Sequence, residues 1–245
     1  MKFRRQLFKY IDVNGALAML SKGTLQFTNS FYFNDPFDCH PSLIDFSSNP
    51  VGRYGDVFKD WIRDEKRNTH DRLRENTWIC SLSKIKDSLL MWSHYANYHQ
   101  GFALEYNLRS TLSHAIPNVG IFPVIYDDKR HDGTSYLLWE FLKLQGISVP
   151  NSDLLSHIKC ALYKSCQWEY EKEWRLIDST IRDNIILENN TSVIIKPTAI
   201  YYGTNIPLAD KKKLHEIALN KGIKEYDMYI DFASEKYEML YRAYS

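Results

Sequence analysis

The sequence has little cysteine, almost no net charge and no long apolar run. Its four cysteines, Cys39, Cys80, Cys160 and Cys166, show neither C-x-x-C spacing nor the density of a disulfide-rich secreted domain, so we expect buried, reduced thiols. Lys and Arg total 31 and Asp and Glu total 30, and a net charge of +1 provides no overall attraction to nucleic acid. No segment approaches the roughly 18 apolar residues of a transmembrane helix. The basic start at residues 1–6 lacks a following apolar run, so we predict a cytoplasmic protein without membrane contact.

Several motifs that mark common enzyme classes are also absent. The chain has no Walker loop, no G-x-G-x-x-G and no G-x-S-x-G, which disfavours P-loop phosphoryl transfer, a Rossmann cofactor and an α/β-hydrolase. Neither H-x-x-x-H nor H-E-x-x-H occurs, and we predict no metal cofactor. Aromatic residues are plentiful, at 14% of the chain with 17 Tyr and 6 Trp. They suit a core, and they also suit pockets that stack planar ligands.

Hydrophobic periodicity predicts one α+β domain, because no internal repeat or Gly/Ser linker divides residues 1–245. The predicted strands are 8–10, 24–27, 77–83, 102–106, 121–126, 168–177, 192–195, 199–202, 226–232 and 237–242. Predicted helices lie between a cap at Asp12 or Asn14 and Gly23, at 54–75, from Asp87 to before Gly101, and at 134–145, 152–165 and 208–220.

The segment 168–177 alternates strictly, as a half-buried strand does. One face of that strand would carry Trp168, Tyr170, Trp174 and Leu176, and the other would carry Glu169, Glu171, Glu173 and Arg175. Carboxylates placed together raise one another's pKa, while Arg175 favours the ionised form. A solvated acidic face of an antiparallel sheet is the alternative interpretation.

A second polar segment is Asn34-Asp35-Pro36-Phe37-Asp38. Asp35 precedes a proline and should be extended, while Asn34 can hydrogen-bond the turn. These residue types are common wherever a chain turns, so a structural role stays open.

The third segment, 91–101, is predicted as a helix with His94 and Tyr98 on one face. A histidine as a residue type titrates near neutral pH, which suits a general base or a phosphate ligand, although a packed histidine is the alternative. Ser81 and Ser83 share a strand face, and the turn at 202–205 could receive an anion on free backbone N–H groups.

These segments together resemble the bacterial domain-of-unknown-function family 2971. The residues that carry the resemblance are Phe8-Lys9-Tyr10, 25–27 with 33–37, Cys80 to Ser83, Met91 to Tyr95 with Gly101-Phe102, and Trp168 with 171–175. Their order and spacing match over about residues 7–205, which leaves a C-terminal helix and strand pair at 206–245. The resemblance implies an accessory protein of bacteria or their mobile elements, with a role as a toxin or antiphage effector and with a partner or antitoxin chain.

The layout is more loosely similar to ADP-ribosyltransferases. These enzymes place a basic or His residue on a first strand, a Ser or Tyr on a middle strand and a Glu on a later one. Lys9 or Tyr10, Ser81 or Ser83, and Glu173 occur here in that order, and Glu171-Lys172-Glu173 is similar to their Glu-x-Glu pair. The resemblance implies a single domain with a central, mostly antiparallel and strongly bent sheet flanked by helices. The chain departs from the pattern in lacking a central Arg or His on the first strand and a Ser-Thr-Ser motif.

The resemblance also implies NAD as a nucleotide substrate and a protein or nucleic acid as the macromolecular acceptor. Glu173 would bind the ribose 2′-hydroxyl and stabilise the charge formed as nicotinamide leaves, and Glu171 would orient or deprotonate the acceptor. The predicted substrate-binding residues are Lys9, Tyr10, Asn34, Asp35, Phe37, Ser81, Ser83, Trp92, His94, Tyr95 and Arg175. Among them Tyr10, Trp92 or Tyr95 would stack the nicotinamide, and Lys9 or Arg175 would contact phosphate.

Two other hypotheses come from different classes of protein. One is a non-enzymatic binding module of a bacterial defence or mobile-element system, in which the aromatic residues form the core. The other is a metal-dependent nuclease that holds Mg²⁺ with Asp35, Asp38 and Glu173. Every enzymatic hypothesis requires the segments around Asn34, His94 and Glu173 to meet in space.

Overall fold

A computed structural model describes residues 6–33, 35, 37–39, 44–45, 56–61, 77–108, 119–132, 134–148, 161–178 and 190–244. Its strands are β1 (Gln6–Ile11), β2 (Thr24–Asn29), β3 (Ile44–Asp45), β4 (Trp78–Ser83), β5 (Phe102–Asn107), β6 (Val119–Pro123), β7 (Ile125–Tyr126), β8 (His131–Asp132), β9 (Tyr163–Lys164), β10 (Glu173–Asp178), β11 (Asn190–Ile194), β12 (Ala199–Tyr202), β13 (Lys224–Ile230) and β14 (Met239–Ala243). The α-helices are α1 (Val13–Lys22), α2 (Leu89–Tyr95), α3 (Thr134–Leu144) and α4 (Leu208–Lys221), with 3₁₀ turns at Ser30–Tyr32 and Cys166–Glu171. These elements confirm the predicted α+β class.

Ten of the strands form one open sheet. Its order is β11-β2-β4-β1-β5-β12-β13-β14, and β10 pairs with both β4 and β6. Among the described strands of this sheet, β12 and β13 are parallel and every other pair is antiparallel, as predicted. The C-terminal strands β13 and β14 extend the same sheet.

The sheet branches at β4. Along its whole length β4 pairs with β10, while β1 and β2 share its other edge through the pairs Phe8↔Ser83 and Thr28↔Ile79. Ser83 therefore lies between Phe8 and Glu173. Because paired residues in a sheet project to the same face, this branch gathers side chains from three strands that are distant in sequence.

Apolar residues cover both faces of the sheet. Leu7 of β1 belongs to one core cluster with residues of α1 and α4, such as Leu20 and Leu214. Phe8, the next residue of β1, belongs to a second cluster that includes Trp92 of α2. Successive side chains of a strand point to opposite faces of the sheet, so neighbouring residues of a strand buried on both faces enter different clusters.

The first helix follows its predicted start and stop signals. The Asp12 side chain accepts a hydrogen bond from the Gly15 N–H at 2.8 Å and caps α1. Gly23 ends α1 in the left-handed region, with φ of 65°.

The predicted strand 168–177 is wrong in its first half. Residues Cys166–Glu171 form a 3₁₀ turn, and the strand begins only at Glu173. The cause is Lys172, which adopts left-handed angles of φ 45° and ψ 49° and hydrogen-bonds to the Glu169 carbonyl. Alternation across a strand needs extended backbone at every residue, so Glu169 and Glu171 do not share a strand face with Glu173.

Other predicted elements are shorter or different. The predicted helix 152–165 is wrong at 161–165, where a turn leads into β9, and α2 ends at Tyr95 before three positive-φ residues at 97–99. The predicted strand 121–126 is interrupted at Val124 between β6 and β7. Residues 56–61 are helical, while the rest of the predicted helix 54–75 and residues 152–160 lie outside the described residues.

The thiols differ from the expectation of uniform burial. Cys80 is buried, Cys39 is partly buried and Cys166 is exposed, which corrects the prediction for Cys166. All three are free thiols, and Cys160 lies outside the described residues. None of the described helices is long and apolar enough to cross a membrane.

Candidate functional site

A pocket of about 180 Å³ opens where β1, β4 and β10 run side by side. Its walls are Phe8, Lys9, Tyr10, Phe33, Asp38, Ser81, Leu82, Ser83, Met91, Tyr95, Lys164, Glu171 and Glu173. Seven of these were predicted as site residues from the sequence, namely Lys9, Tyr10, Ser81, Ser83, Tyr95, Glu171 and Glu173. The branch at β4 thus brings four distant segments of the chain to one cavity.

The carboxylate of Glu173 accepts hydrogen bonds from two buried cations. Arg175 Nε lies 2.9 Å from its Oε1, and Arg175 Nη2 and Lys164 Nζ lie 3.2 and 3.1 Å from its Oε2. A carboxylate has about four acceptor positions, so these three contacts with cations occupy most of those on Glu173.

Arg175 is a buried anchor. Its side chain is 0% exposed, and besides Glu173 it contacts Asp38 Oδ2 at 2.6 Å and the Ala161 carbonyl at 2.6 Å. Its Nη1 also lies 3.3 Å from Cys39 Sγ. Arg175 is therefore not among the pocket's walls, and it holds Glu173 and Asp38 in place instead of presenting a cation to a phosphate.

Lys164 joins the two glutamates across the pocket. Its Nζ lies 2.6 Å from Glu171 Oε2 and 3.1 Å from Glu173 Oε2, with Asp38 Oδ2 at 3.7 Å. Burial would lower the pKa of Lys164, but the negative charges of Glu173, Asp38 and Glu171 outweigh burial and raise it. Lys164 is therefore a fixed cation at the base of the site.

The two glutamates titrate in opposite directions. Burial alone would raise the pKa of Glu173, but the charges of Arg175 and Lys164 lower it to about 2. Burial raises the pKa of Glu171, and the charge of Glu173 adds to the rise although Lys164 opposes it. In many acid–base sites two neighbouring carboxyl groups have pKa values that differ strongly. One group then carries a proton while the other stays ionised.

The left-handed turn at Lys172 positions this pair. The Ser83 hydroxyl donates to the Glu171 carbonyl at 2.6 Å, and the Lys84 N–H donates to the Lys172 carbonyl at 3.1 Å. A non-glycine residue in this region costs free energy, which the surrounding hydrogen bonds must offset. Because the turn is fastened to the end of β4, Glu171 enters the same pocket as Glu173.

Two tyrosines and a lysine complete the walls. The Tyr95 hydroxyl donates to Glu171 Oε1, and the Tyr10 hydroxyl donates to the Ile85 carbonyl at 2.9 Å. Lys9 Nζ donates to the Ser81 carbonyl at 3.1 Å. Trp92, predicted to stack a ligand, is instead 0% exposed in the core, where its ring meets Tyr10 edge-on and its Nε1 donates to the Lys86 carbonyl.

The remaining predicted residues do not line this pocket. Asp35 accepts a hydrogen bond from the Phe37 N–H at 2.9 Å, so it shapes the turn that leads to Asp38, and Phe37 is 61% exposed. His94 is exposed, and it lies in the wall of a neighbouring cavity that shares Tyr95 with this pocket. Asn34 lies outside the described residues.

Within the part of the chain that the structure describes, no group of three or more His, Cys, Asp or Glu is placed to hold a metal ion. Of the residues in the nuclease hypothesis, Asp38 and Glu173 both pair with Arg175, and Asp35 hydrogen-bonds its own turn.

Sequence analysis missed Lys164 and the role of Asp38. Lys164 lies within the segment 152–165, whose pattern predicts a helix, and nothing in that pattern distinguishes it from a solvated lysine. Asp38 was considered only as a metal ligand, whereas its partner Arg175 lies 137 residues further along the chain. A buried ion pair of such separation leaves no local sequence signal.

Comparison with known proteins finds one family. Residues 91–176 match the family model of DUF2971, described as a protein of unknown function. No curated protein matches the chain, and no solved structure does. The matched segment contains Tyr95, Lys164, Glu171 and Glu173, while Lys9 and Ser81 lie outside it. The match confirms, over residues 91–176, the resemblance that the motifs indicated.

Proposed function

We propose that this protein consumes NAD by ADP-ribosyltransferase-like chemistry, breaking the bond between nicotinamide and ribose. The observation that carries the proposal is the pair of glutamates, which Lys164 joins and whose pKa values are displaced in opposite directions inside one pocket. Such a pair supplies one permanently ionised carboxylate and one that can exchange a proton. The aromatic walls Phe8, Tyr10, Phe33 and Tyr95 offer faces and edges for a planar nicotinamide ring.

The contacts support roles for the two glutamates that differ from those expected by resemblance. Two buried cations occupy most acceptor positions of Glu173, so in the proposed reaction it acts through its fixed charge. Glu171 accepts only from Tyr95 and Lys164 among the described contacts, which leaves positions for a ribose hydroxyl or an acceptor group. Glu171 is therefore the proposed catalytic residue, and Glu173 positions Lys164 beside it.

When Glu171 is ionised, its carboxylate places a negative charge in the pocket wall, where Asp38, Glu171 and Glu173 balance the cations Lys9 and Lys164 of the wall and Arg175 behind it. A fixed negative charge in a buried site stabilises a developing ribosyl cation. When the C–N bond breaks, its electron pair remains on the nicotinamide nitrogen. The acceptor oxygen or nitrogen then bonds to the ribose carbon, and its proton passes to Glu171. Water as acceptor gives hydrolysis, and a macromolecule as acceptor gives transfer.

Nicotinamide release from NAD, followed by chromatography, tests the proposal in wild type, Glu171→Gln and Glu169→Gln. We expect Glu171→Gln to lose on the order of 100-fold or more in rate, the usual contribution of a general base. Glu169→Gln is the matched control, because Glu169 is exposed and pairs only with Lys172 at 2.9 Å among its described salt bridges. Calorimetry on the same samples separates NAD binding from cleavage.

The outcomes distinguish the hypotheses. Release by wild type that only Glu171→Gln abolishes supports the proposal, whereas wild type that neither binds nor cleaves NAD overturns it. NAD binding without release in any variant favours the binding module. The role as a toxin or antiphage effector follows from the resemblance and is proposed with the activity.

A further inference from the structure

The strand β14 forms an edge of the large sheet. Among the described strands it pairs with β13 alone. The Tyr244 N–H donates to the Glu225 carbonyl at 3.0 Å, so the backbone groups of Tyr244 point toward β13. Because this direction alternates along an antiparallel strand, the N–H and C=O groups of Met239, Tyr241 and Ala243 point away from β13. The outer edge of β14 therefore presents a row of donors and acceptors that no described strand pairs.

Large aromatic side chains along this edge are exposed. Tyr237, just before β14, is 99% exposed, and Tyr241 within the strand is 47% exposed. Phe232, in the connection between β13 and β14, is 91% exposed. Aromatic residues are enriched in protein interfaces, and exposed apolar groups beside an open strand are typical of a surface that another strand covers.

Two opposite charges flank the centre of β14. Glu238 and Arg242 lie on either side of Leu240, and strand alternation directs all three side chains to one face of the sheet. Arg242 is exposed, and its guanidinium lies 5.4 Å from the centre of the Tyr229 ring. Glu238 is partly exposed and accepts a hydrogen bond from Ser234 Oγ at 3.2 Å. A carboxylate has about four acceptor positions, so Glu238 can bind a cation as well.

We propose that β14 pairs antiparallel with β14 of a second copy of this chain, about a twofold axis at Leu240. In this register Glu238 of each copy lies opposite Arg242 of the other, which places two pairs of opposite charges directly across the strands. Met239 of each copy then lies opposite Tyr241 of the other. The backbone groups of both residues point outward, so they can form the hydrogen bonds that join the two strands.

Neighbouring registers are less favourable. Outward-pointing residues must face one another, so one strand can slide past the other only in steps of two residues. With the axis at Met239, Arg242 lies opposite Lys236 of the other copy, and like charges in this position are destabilising. With the axis at Tyr241, Arg242 lies opposite the uncharged Leu240. Of these three registers, the axis at Leu240 alone pairs opposite charges.

The same pairing covers the exposed aromatic residues. On the face opposite the charges, Tyr241 of each copy lies against Met239 of the other, and Tyr237 lies against Ala243. The strands β5, β12 and β13 separate β14 from β1, which carries Lys9 of the pocket. The strand pairing therefore covers neither pocket, and it does not depend on the proposed NAD chemistry.

Analytical ultracentrifugation of the full chain over a range of concentrations tests the proposal. As its concentration rises, wild type should approach twice the 28.9 kDa of one chain. Arg242→Glu places like charges opposite each other at both ends of the strand pair, so we expect the dissociation constant to rise at least about tenfold. Glu238→Arg should have the same effect. Lys129→Glu is the matched control, because it reverses an exposed charge between β7 and β8, outside this sheet.

The combined variant tests the register and the identity of the partner together. Glu238→Arg with Arg242→Glu exchanges the two charges, so each again faces its opposite across the twofold axis, and the dimer should return. Circular dichroism verifies that each variant is folded. A wild type that stays monomeric up to about 1 mM would overturn the proposal. A dimer that neither single variant weakens would also overturn it, as would a combined variant that fails to restore association.

Discussion

Arg175 binds Glu173 through both carboxylate oxygens, with Nε 2.9 Å from Oε1 and Nη2 3.2 Å from Oε2. Paired contacts of this kind are among the strongest hydrogen bonds in proteins and fix orientation as well as distance. The same guanidinium holds Asp38 at 2.6 Å, so one buried cation fastens the segment before β3 to the strand β10. The ionised state of Glu173 and the shape of the pocket both depend on it.

Replacing Arg175 with methionine should destabilise the fold strongly. The substitution leaves Glu173 and Asp38 buried without their cation, and breaking a buried pair from one side costs about 3–5 kcal/mol. Urea unfolding of Arg175→Met against wild type measures the free energy of unfolding. Glu169→Gln is the control, because the pair of Glu169 and Lys172 is exposed by 56% and 49% and should contribute under about 1 kcal/mol. A loss in Arg175→Met no larger than in the control would contradict the anchoring role.

Acid should destabilise the protein in a defined pH window. The pKa of Glu173 in the folded state is about 2, against an ordinary 4.5. A carboxylate with a lowered folded pKa contributes stability that is fully present above its unfolded pKa and is lost as pH falls through the folded pKa. The free energy of unfolding should therefore fall between pH 4.5 and about 2, by on the order of 3 kcal/mol.

Glu171 titrates with the opposite sign, because its pKa is raised and its protonation favours the folded state. The measurement is therefore made in Glu171→Gln, which lacks that titration. In this background, Glu173→Gln should weaken the dependence of the free energy of unfolding on pH between pH 4.5 and about 2. Glu169→Gln should leave that dependence unchanged. An equal pH dependence with and without Glu173 would mean that other carboxylates cause the acid sensitivity.

Removing the charge of Lys164 should shift the titration of Glu171. Lys164 lowers the pKa of Glu171, so Lys164→Met should raise that pKa further. Carbon-13 NMR of labelled glutamate, with the Glu171 signal assigned by its loss in Glu171→Gln, follows the titration directly. In the proposed reaction the ionised Glu171 is the base, so the rise of the nicotinamide-release rate with pH should move to higher pH.

Lys172→Met serves as the control for the Lys164 variant. It removes a neighbouring lysine whose partner is the exposed Glu169 and which lies outside the pocket. We expect no movement of the Glu171 titration there. A Lys164→Met protein with an unshifted Glu171 would show that the two side chains do not interact in solution.

Local rules predicted the first part of the fold well. Asp12 as a cap, Gly23 as a stop and the apolar residues between them define α1 because these signals act within a few residues. The short, mainly apolar and aromatic segments at 102–106 and 199–202 likewise predicted β5 and β12. An element can be predicted from the sequence where its hydrogen bonds are local or its apolar residues follow a regular pattern.

The site was only partly predictable. The order of Lys9, Ser81, Ser83 and Glu173 along the chain suggested a shared pocket, and the branch at β4 gathers them. The pattern at 168–177 misled because an alternating polar and apolar pattern does not reveal one left-handed residue, Lys172, inside it. Tertiary contacts override local strand propensity in this segment. The roles of the buried cations Lys164 and Arg175 depend on partners that only the folded chain brings together.

The loop after β12 is packed too tightly against the end of α2 to accept a side chain. A Cβ added at Gly203 would lie 2.2 Å from the His99 carbonyl oxygen and 2.7 Å from that of Gly101. Both are backbone atoms of a segment that the Gly203 and Asn205 N–H groups hold by hydrogen bonds of 2.9 and 3.0 Å. Gly203→Ala must displace this segment, and we expect a loss of about 1–3 kcal/mol, typical of overpacking.

Gly15→Ala is the matched control with the opposite expected sign. Its new Cβ would meet only the Ile11 side chain, at 2.9 Å from Cδ1, and the Asp12 side chain, and the end of Ile11 can move aside. Because Gly15 lies within α1, alanine should improve helix propensity and stabilise the protein by up to about 1 kcal/mol. Urea unfolding of both variants measures the difference. The segment at 97–101 directly follows the helix that carries Tyr95. Gly203→Ala should therefore also weaken the hydrogen bond between Tyr95 and Glu171. An unchanged pH titration of Glu171 in this variant would show that the two regions move independently.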